Sequence, residues 1–241
     1  MNANGLVAAL KGLAGRSTAD LVGIAPGGAF SAEELGELGQ AFGPVRAVVV
    51  LAQRIVDPVQ TVRFLSGDTY DESAISTSFG DAMLRNACWR VVQMLERAGY
   101  RAAIPRNLRY GDDGPRHQLS YKKAGVLAGL GAFGRNQLLI HPEWGPWMWL
   151  RTVVTEASLT ADAPIDFSPC EGCAQCLAVC PAGALSEAGI ERERCRTAAG
   201  YADPARGAVH FSPHGRVNCE ECMRACPVGT APARLEMGGA A

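Results

Sequence analysis

The chain has almost no net charge, no leader-like start and no apolar run long enough to span a bilayer. Its 241 residues carry 23 Lys and Arg against 24 Asp and Glu, for a formal charge of −1. A free-standing nucleic-acid binder usually shows a clustered basic footprint, and the sequence has no long Lys/Arg run, although folding can gather scattered arginines. A membrane span needs about 20 consecutive apolar residues, and the longest runs here fall short of that. Met1 to Ala14 holds one lysine and no clear cleavage pattern, so a soluble, cytoplasmic protein with no membrane partner is expected. Cysteine is scarce in the front of the chain, where Cys88 stands alone, and abundant behind it, with eight between Cys170 and Cys226. With no export signal, that crowding suits a metal better than a disulfide framework.

The sequence is 48% hydrophobic, enough for one sizeable core plus a small satellite domain. Ala3 to Leu13 reads as a short amphipathic helix, Ala19 to Ala25 as a strand, and Ser31 to Gln40 as a Ser-capped helix. Val45 to Ala52 is a β-branched run expected to form a buried strand. Leu84, Cys88, Val91, Val92 and Leu95 fall on one face of a helix predicted over Asp71 to Ala98, with Gly99 ending it. Arg101 to Ile104 is a further candidate strand, and Asn107 to Gln118 a polar loop. Leu119 to Ala128 reads as helix, and Gln137 to His141 and Trp147 to Thr155 as strands joined by a turn over Pro142–Pro146. Ala161 to Pro169 has the composition of a boundary. It divides an α/β domain over 1–165 from a small cysteine-rich domain over 166–230, with a disordered tail expected over 231–241.

The first cysteine motif is Cys170-x2-Cys173-x2-Cys176-x3-Cys180-Pro181, the spacing of bacterial two-cluster ferredoxins. Three thiolates from one tight loop cap three irons of a cube, and the fourth, before proline, points to the other cluster. The second motif, Cys219-x2-Cys222-x3-Cys226-Pro227, lacks a leading cysteine, and Cys195, 24 positions before Cys219, is the natural replacement. Cluster one then takes Cys170, Cys173, Cys176 and Cys226, and cluster two Cys180, Cys195, Cys219 and Cys222. Structural zinc also uses paired C-x2-C motifs, but rarely three cysteines at x2, x2 spacing with a Cys-Pro ending. Two disulfides fit less well still. Cys88, on an apolar stripe, is expected to be a core residue.

Ahead of the cysteines lies Gly129-x-Gly131-x2-Gly134, literally a G-x-G-x-x-G, with Glu156 about 20 residues on. A dinucleotide fold needs a strand before this motif and a helix after it. Here helix precedes and strand follows, so a glycine-tight turn is the better reading, one that lets backbone approach something flat or another chain segment. The stretch AGLGAFGRNQLLI, a Gly-containing turn, LRTVVTEASL and then the two cysteine motifs resemble epoxyqueuosine reductases and their short relatives, which are akin to reductive dehalogenases. ADLVGIAP and VRAVVVLA extend the likeness over most of 19–227.

The resemblance implies a nitroreductase-like α/β sandwich holding base-off cobalamin, followed by a bacterial-ferredoxin-like domain with two 4Fe–4S clusters. Electrons from a reduced ferredoxin or flavodoxin-type donor would pass through the clusters to make Co(I). The substrate would be a small molecule or nucleoside. The family's catalytic aspartate aligns, without gaps, on Pro115, with Asp113 and Asp112 two and three residues earlier. Full-length members carry a helical-repeat domain that helps hold tRNA, and this chain stops soon after its clusters. A short-branch protein is therefore expected, and a tRNA substrate is disfavoured.

A reductase that protonates its product needs an acid within hydrogen-bond reach. Asp112, Asp113, His117, Tyr121 and Lys122 lie in or beside the loop ahead of the glycine turn. Each has a plainer alternative: turn chemistry for the aspartates with Gly114, a surface position for His117, core packing for Tyr121, and a solvated helix face for Lys122 and Lys123. Gly129, Gly131, Gly134 and Trp147 are the cofactor-contact candidates. Trp144, Trp147 and Trp149 could receive a flat ring, or two of them could simply fill the core. His141, His210 and His214 are left unassigned, since eight cysteines already fill the clusters. The rival to a reductase is a non-catalytic ferredoxin-type carrier or corrinoid-reducing partner.

Overall fold

The computed structural model describes residues 3–55, 72–105, 119–195, 210–212, 215–217 and 219–229. The front of the chain is helix α1 (Ala3–Lys11), strand β1 (Leu21–Pro26), helices α2 (Ala32–Leu35) and α3 (Glu37–Phe42), strand β2 (Ala47–Arg54), the long helix α4 (Glu72–Arg97), and strand β3 (Ala102–Ala103). Helix α5 (Tyr121–Leu127), hairpin strands β4 (Ala132–Phe133) and β5 (Leu139–Ile140), and strand β6 (Met148–Thr155) complete it. The cysteine-rich part holds helix α6 (Gln175–Ala178), hairpin strands β7 (Leu185–Ser186) and β8 (Gly189–Ile190), paired strands β9 (His210–Ser212) and β10 (Gly215–Val217), and helix α7 (Glu221–Arg224).

One sheet organises the molecule. Its order is β1-β2-β6-β3, antiparallel throughout, with Val49 opposite Val153 and Val50 opposite both Gly23 and Thr152. β2 is buried on both faces because its β-branched run alternates between two apolar layers. Ala47, Val49 and Leu51 pack with Leu6 and Leu10 of α1 and with Leu84, Cys88, Val91 and Leu95 of α4. Val48, Val50 and Ala52 pack with Ala124 of α5, Ala128 and Leu139. The result is a mixed layered arrangement, helix on sheet on helix.

Local signals act where expected. The Ser31 hydroxyl accepts from the Glu34 N–H while the Glu34 carboxylate accepts from the Ser31 N–H, a reciprocal cap. The single helix expected over 31–40 is two, because Gly36 turns the chain at φ +50 between α2 and α3. α4 ends as Gly99 takes φ +87 and the Tyr100 and Gly99 amides bond back to Leu95 and Glu96. Residues 161–168 form no regular element, yet Asp162 exchanges backbone and carboxylate bonds with Ile24 at 2.8 Å each. Among the described residues no helix is long and apolar enough to cross a membrane. Asp112, Asp113 and His117, like the 231–241 tail, lie outside the described residues.

Candidate metal centre and reductase site

The seven cysteines of the two motifs and Cys195 all fall in described segments, and they influence one another. Burial pushes the Cys176 thiol up, and the nearby Cys170, Cys173 and Cys226 thiols push the same way. Burial also raises Cys226, with Cys170 and Cys173 adding to it. Cys222 is pushed up to about 12 by burial and by Cys219 and Cys195 first, then by Cys176 and Cys180. Cys226 of the second motif thus stands with the first motif's thiols, while Cys222 is acted on by Cys219 and Cys195 and by both Cys176 and Cys180 of the first motif. The short helices α6 and α7, which carry Cys176 and Cys222, lie against each other. Among the described residues no three His, Cys, Asp or Glu side chains converge as a site for a single ion.

Backbone amides converge on the sulfurs. Burial raises the Cys180 thiol, but N–H groups of Ala184, Ala182, Leu185 and Gly183 outweigh it and bring the thiol below its ordinary value. The Ala184 amide donates to Cys180 Sγ at 3.2 Å. The Arg135 amide donates to Cys170 Sγ at 3.3 Å. Such N–H···S bonds stabilise negative charge on sulfur, which is how a protein tunes a thiolate cage.

The glycine turn sits between α5 and β4, so helix precedes strand, as the sequence order predicts. Its three glycines are filled against by the chain itself. A Cβ at Gly129 would lie 2.5 Å from the Ala163 carbonyl oxygen, one at Gly131 would collide with the Ile140 carbonyl, and one at Gly134 would meet Asn136 Oδ1 at 2.7 Å. The same turn carries Arg135 and Asn136, which reach Cys170 and the Cys222 carbonyl. Asn136, 5% exposed, donates through Nδ2 to the Cys222 carbonyl at 3.5 Å and accepts from the Leu138 amide at 3.1 Å. Gln137 is the one non-glycine residue with positive φ among those described, at +60. Glu156 is held by Arg101 through its backbone and guanidinium, which keeps its carboxyl below the usual range.

Lys122 does not lie on a solvated face. It is half-buried, donating through Nζ to the Gln137 carbonyl at 2.5 Å. Burial lowers its ammonium and Arg192 adds to that, while Cys195 and Cys222 pull the other way. Lys123, by contrast, pairs with Glu34 at 2.8 Å and lies over the Phe30 ring. Tyr121 donates to the Pro105 carbonyl at 3.4 Å and accepts from Arg151 at 3.5 Å, the guanidinium lying over its ring. Arg151 is 5% exposed, a buried cation in a β-branched strand.

Trp147 is 2% exposed, and its indole N–H has no partner among the described residues. The Arg224 guanidinium lies 5.2 Å from its ring centre, joining the second cysteine motif to the sheet. Trp149 packs on the α4 side of the sheet, and Trp144 stacks on His141. The Trp144–Gly145 turn meets Val228–Gly229 backbone to backbone: a Cβ on Gly145 would collide with the Val228 carbonyl, and one on Gly229 with Trp144. His141 accepts from the Glu143 and Trp144 amides at 3.2 Å, and burial lowers its imidazole. Cys88 is fully buried in the core. The sequence reading missed Arg135, Asn136, Arg151, Arg192 and Arg224. The lone arginine inside LRTVV was the one local signal that could have flagged Arg151.

No family model matches the chain. It is 33% identical over 106 residues to an epoxyqueuosine reductase of Lactococcus garvieae, 42% of this chain and 29% of that one. It is 34% identical over 127 residues to that of Gloeobacter violaceus, covering 51% and 39%. The matches thus span well under half the length of these curated relatives. In fold it superposes on an epoxyqueuosine reductase from Bacillus subtilis with a TM-score of 0.67 at 17% identity, over 97% of this chain and 68% of that one. An epoxyqueuosine reductase solved with an epoxyqueuosine-modified tRNA-Tyr stem loop gives 0.63 at 18% identity, over 94% and 66%. A catabolic reductive dehalogenase gives 0.55 at 22% identity, over 87% and 30%. The chain thus shares a mixed α/β fold with both groups and is similar in matched sequence stretches to epoxyqueuosine reductases.

Proposed function

We propose that the chain is an iron–sulfur reductase in which two 4Fe–4S clusters pass single electrons to an acceptor held by the α/β part. The first cluster's ligands are Cys170, Cys173, Cys176 and Cys226; the second's are Cys180, Cys195, Cys219 and Cys222. The observation that carries this is that Cys226 stands with Cys170, Cys173 and Cys176, which supports the crossing that the Cys-Pro spacing implies. Eight soft sulfur donors in two sets of four suit iron–sulfur chemistry. A cube is gripped at separate corners, one thiolate per iron, so it does not need three ligands converging on one ion.

The finer assignments follow the likeness. Cobalamin is the proposed acceptor, supplying a low-potential metal that reduces substrate when bound. The glycine turn's own close contacts suggest that Gly129, Gly131 and Gly134 serve it by holding Arg135–Gln137 against the cysteines. Trp147 closes the other side under Arg224. Tyr121, poised between Arg151 and the Pro105 carbonyl, is the described residue best placed to hold a proton, with Asp112 and Asp113 as carboxylate alternatives. The relatives' name and the neighbour solved with a modified stem loop support a nucleoside, free or carried in RNA, as substrate. That neighbour also weakens the expectation against tRNA. A ferredoxin or flavodoxin is the proposed donor.

Anaerobic reconstitution tests the reading. About eight irons per chain and a spectral change on adding cobalamin are expected, followed by turnover of an epoxyqueuosine nucleoside or stem loop with a reduced donor. Colourless, iron-free protein sinks the proposal. Intact clusters without corrinoid binding reduce it to an electron carrier.

A further inference from the structure

Lys122 is a half-buried cation that, among the described residues, neither caps a helix nor answers a carboxylate. Its nearest fixed partner is the Gln137 carbonyl at 2.5 Å, presented by a backbone in the left-handed region at φ +60. A non-glycine residue held there costs about 1 kcal/mol, so its surroundings must enforce it. The enforcing contacts belong to the same turn. The Gln137 amide donates to Gly134 and the Gly134 amide to Leu138, while neighbouring Asn136 reaches the Cys222 carbonyl. The turn that fixes Lys122 is therefore seated on the segment carrying Cys222. The two thiols that act on the lysine, Cys195 and Cys222, both belong to the second set, and Arg192 brings another cation to the same place. Neutral amide donors serve both sets, Arg135 on Cys170 and Ala184 on Cys180.

We propose that Lys122 sets the second cluster's reduction potential above the first's, fixing the direction in which an electron settles. This rests on the ligand reading above and deepens it. When a four-iron cluster takes one electron, the cluster with its four thiolates gains one negative charge. A fixed cation in a poorly solvated setting stabilises that reduced state more than the oxidised one. Lys122 acts through charge and position and need not transfer a proton, so its role differs from that of the acid at the acceptor.

The test is a potentiometric titration of reconstituted protein followed by electron paramagnetic resonance, with iron content measured on each sample. Lys122→Gln keeps a donor for the Gln137 carbonyl but removes the charge, and Lys122→Arg keeps the charge. With Lys122→Gln, the oxidised-to-reduced ratio of one cluster at the wild-type midpoint should rise about tenfold, ~59 mV for one electron. The other cluster should stay in place, and Lys122→Arg should retain most of the wild-type value. Lys123→Gln, which removes the neighbouring charge paired to Glu34, should move neither. In a Cys222→Ala background, where only the first set is complete, Lys122→Gln should leave the remaining midpoint unmoved. Full iron content with unmoved midpoints in Lys122→Gln, or equal shifts in both clusters, overturns the inference and leaves the ligand reading standing. Iron-free wild-type protein overturns both.

Discussion

The two ends of this chain are held together by different means. In front, an antiparallel sheet is packed on both faces by fully buried aliphatic side chains, from Leu6 and Leu10 to Val49, Leu95 and Val153. Behind residue 165, Cys176, Ala184 and Leu185 are the buried hydrophobic residues among those described, and no described element exceeds four residues. Area removed from water stabilises the first region at roughly 25 cal/mol per Å². The second has little such area among its described residues and a concentration of thiols, so on the proposed ligand reading metal–sulfur bonds would supply what a core does in front. On that reading the difference teaches that the rear would need inorganic contents to hold its shape, and the front would not.

The comparison can be broken most directly at a thiol. Cys222→Ala should cut iron from about eight to about four per chain and increase hydrogen exchange across 170–226, while leaving β2 and α4 protected. Loss of protection in both regions would show that they are not separate in their support. Gly145→Ala should come next. Its Cβ would strike the Val228 carbonyl, backbone against backbone, two residues beyond Cys226. We expect poor iron retention and a loss of about 3 kcal/mol or more, read by iron analysis and denaturant unfolding; wild-type values would separate the Trp144 turn from the cluster region.

Leu95→Ala addresses the front alone. It should lower the denaturant midpoint by the equivalent of about 2–5 kcal/mol with the iron spectrum unchanged. The smallest effect is in pH. His141 is held neutral by burial and accepts two amide bonds, so its folded-state value lies below the ordinary imidazole value. An unfolded chain then binds the proton more readily. The stabilisation is complete above about pH 6.5 and shrinks as pH falls below it. His141→Gln should flatten that slope in unfolding titrations between about pH 7 and 5.

Much of the front was legible because its rules are local. The VRAVVVLA run became β2, the Leu84-to-Leu95 stripe became the inner face of α4, and Ser31 with Glu34 made the cap. Order alone, helix before strand, identified the glycine turn as packing rather than a dinucleotide fingerprint. The site was less legible because its contacts join distant positions. Arg135 meets Cys170, Asn136 meets the Cys222 carbonyl, and Arg224 covers Trp147. No period or spacing encodes those pairs. The two-residue hairpin strands escaped for another reason, being too short to show alternation. Lys122 was noticed for its neighbourhood in the sequence, but its burial arises only when the turn folds back over α5.

The proposed exchange of Cys180 and Cys226 between the two thiol sets bears on biosynthesis. On the proposed ligand assignment, the earlier motif stays one sulfur short until residue 226 has been made, and the second set until residue 222, so neither cube can be finished until nearly all of the cysteine-rich region exists. Iron–sulfur delivery would then follow synthesis of the cysteine-rich region, and a product truncated before Cys226 should emerge unable to complete its first centre.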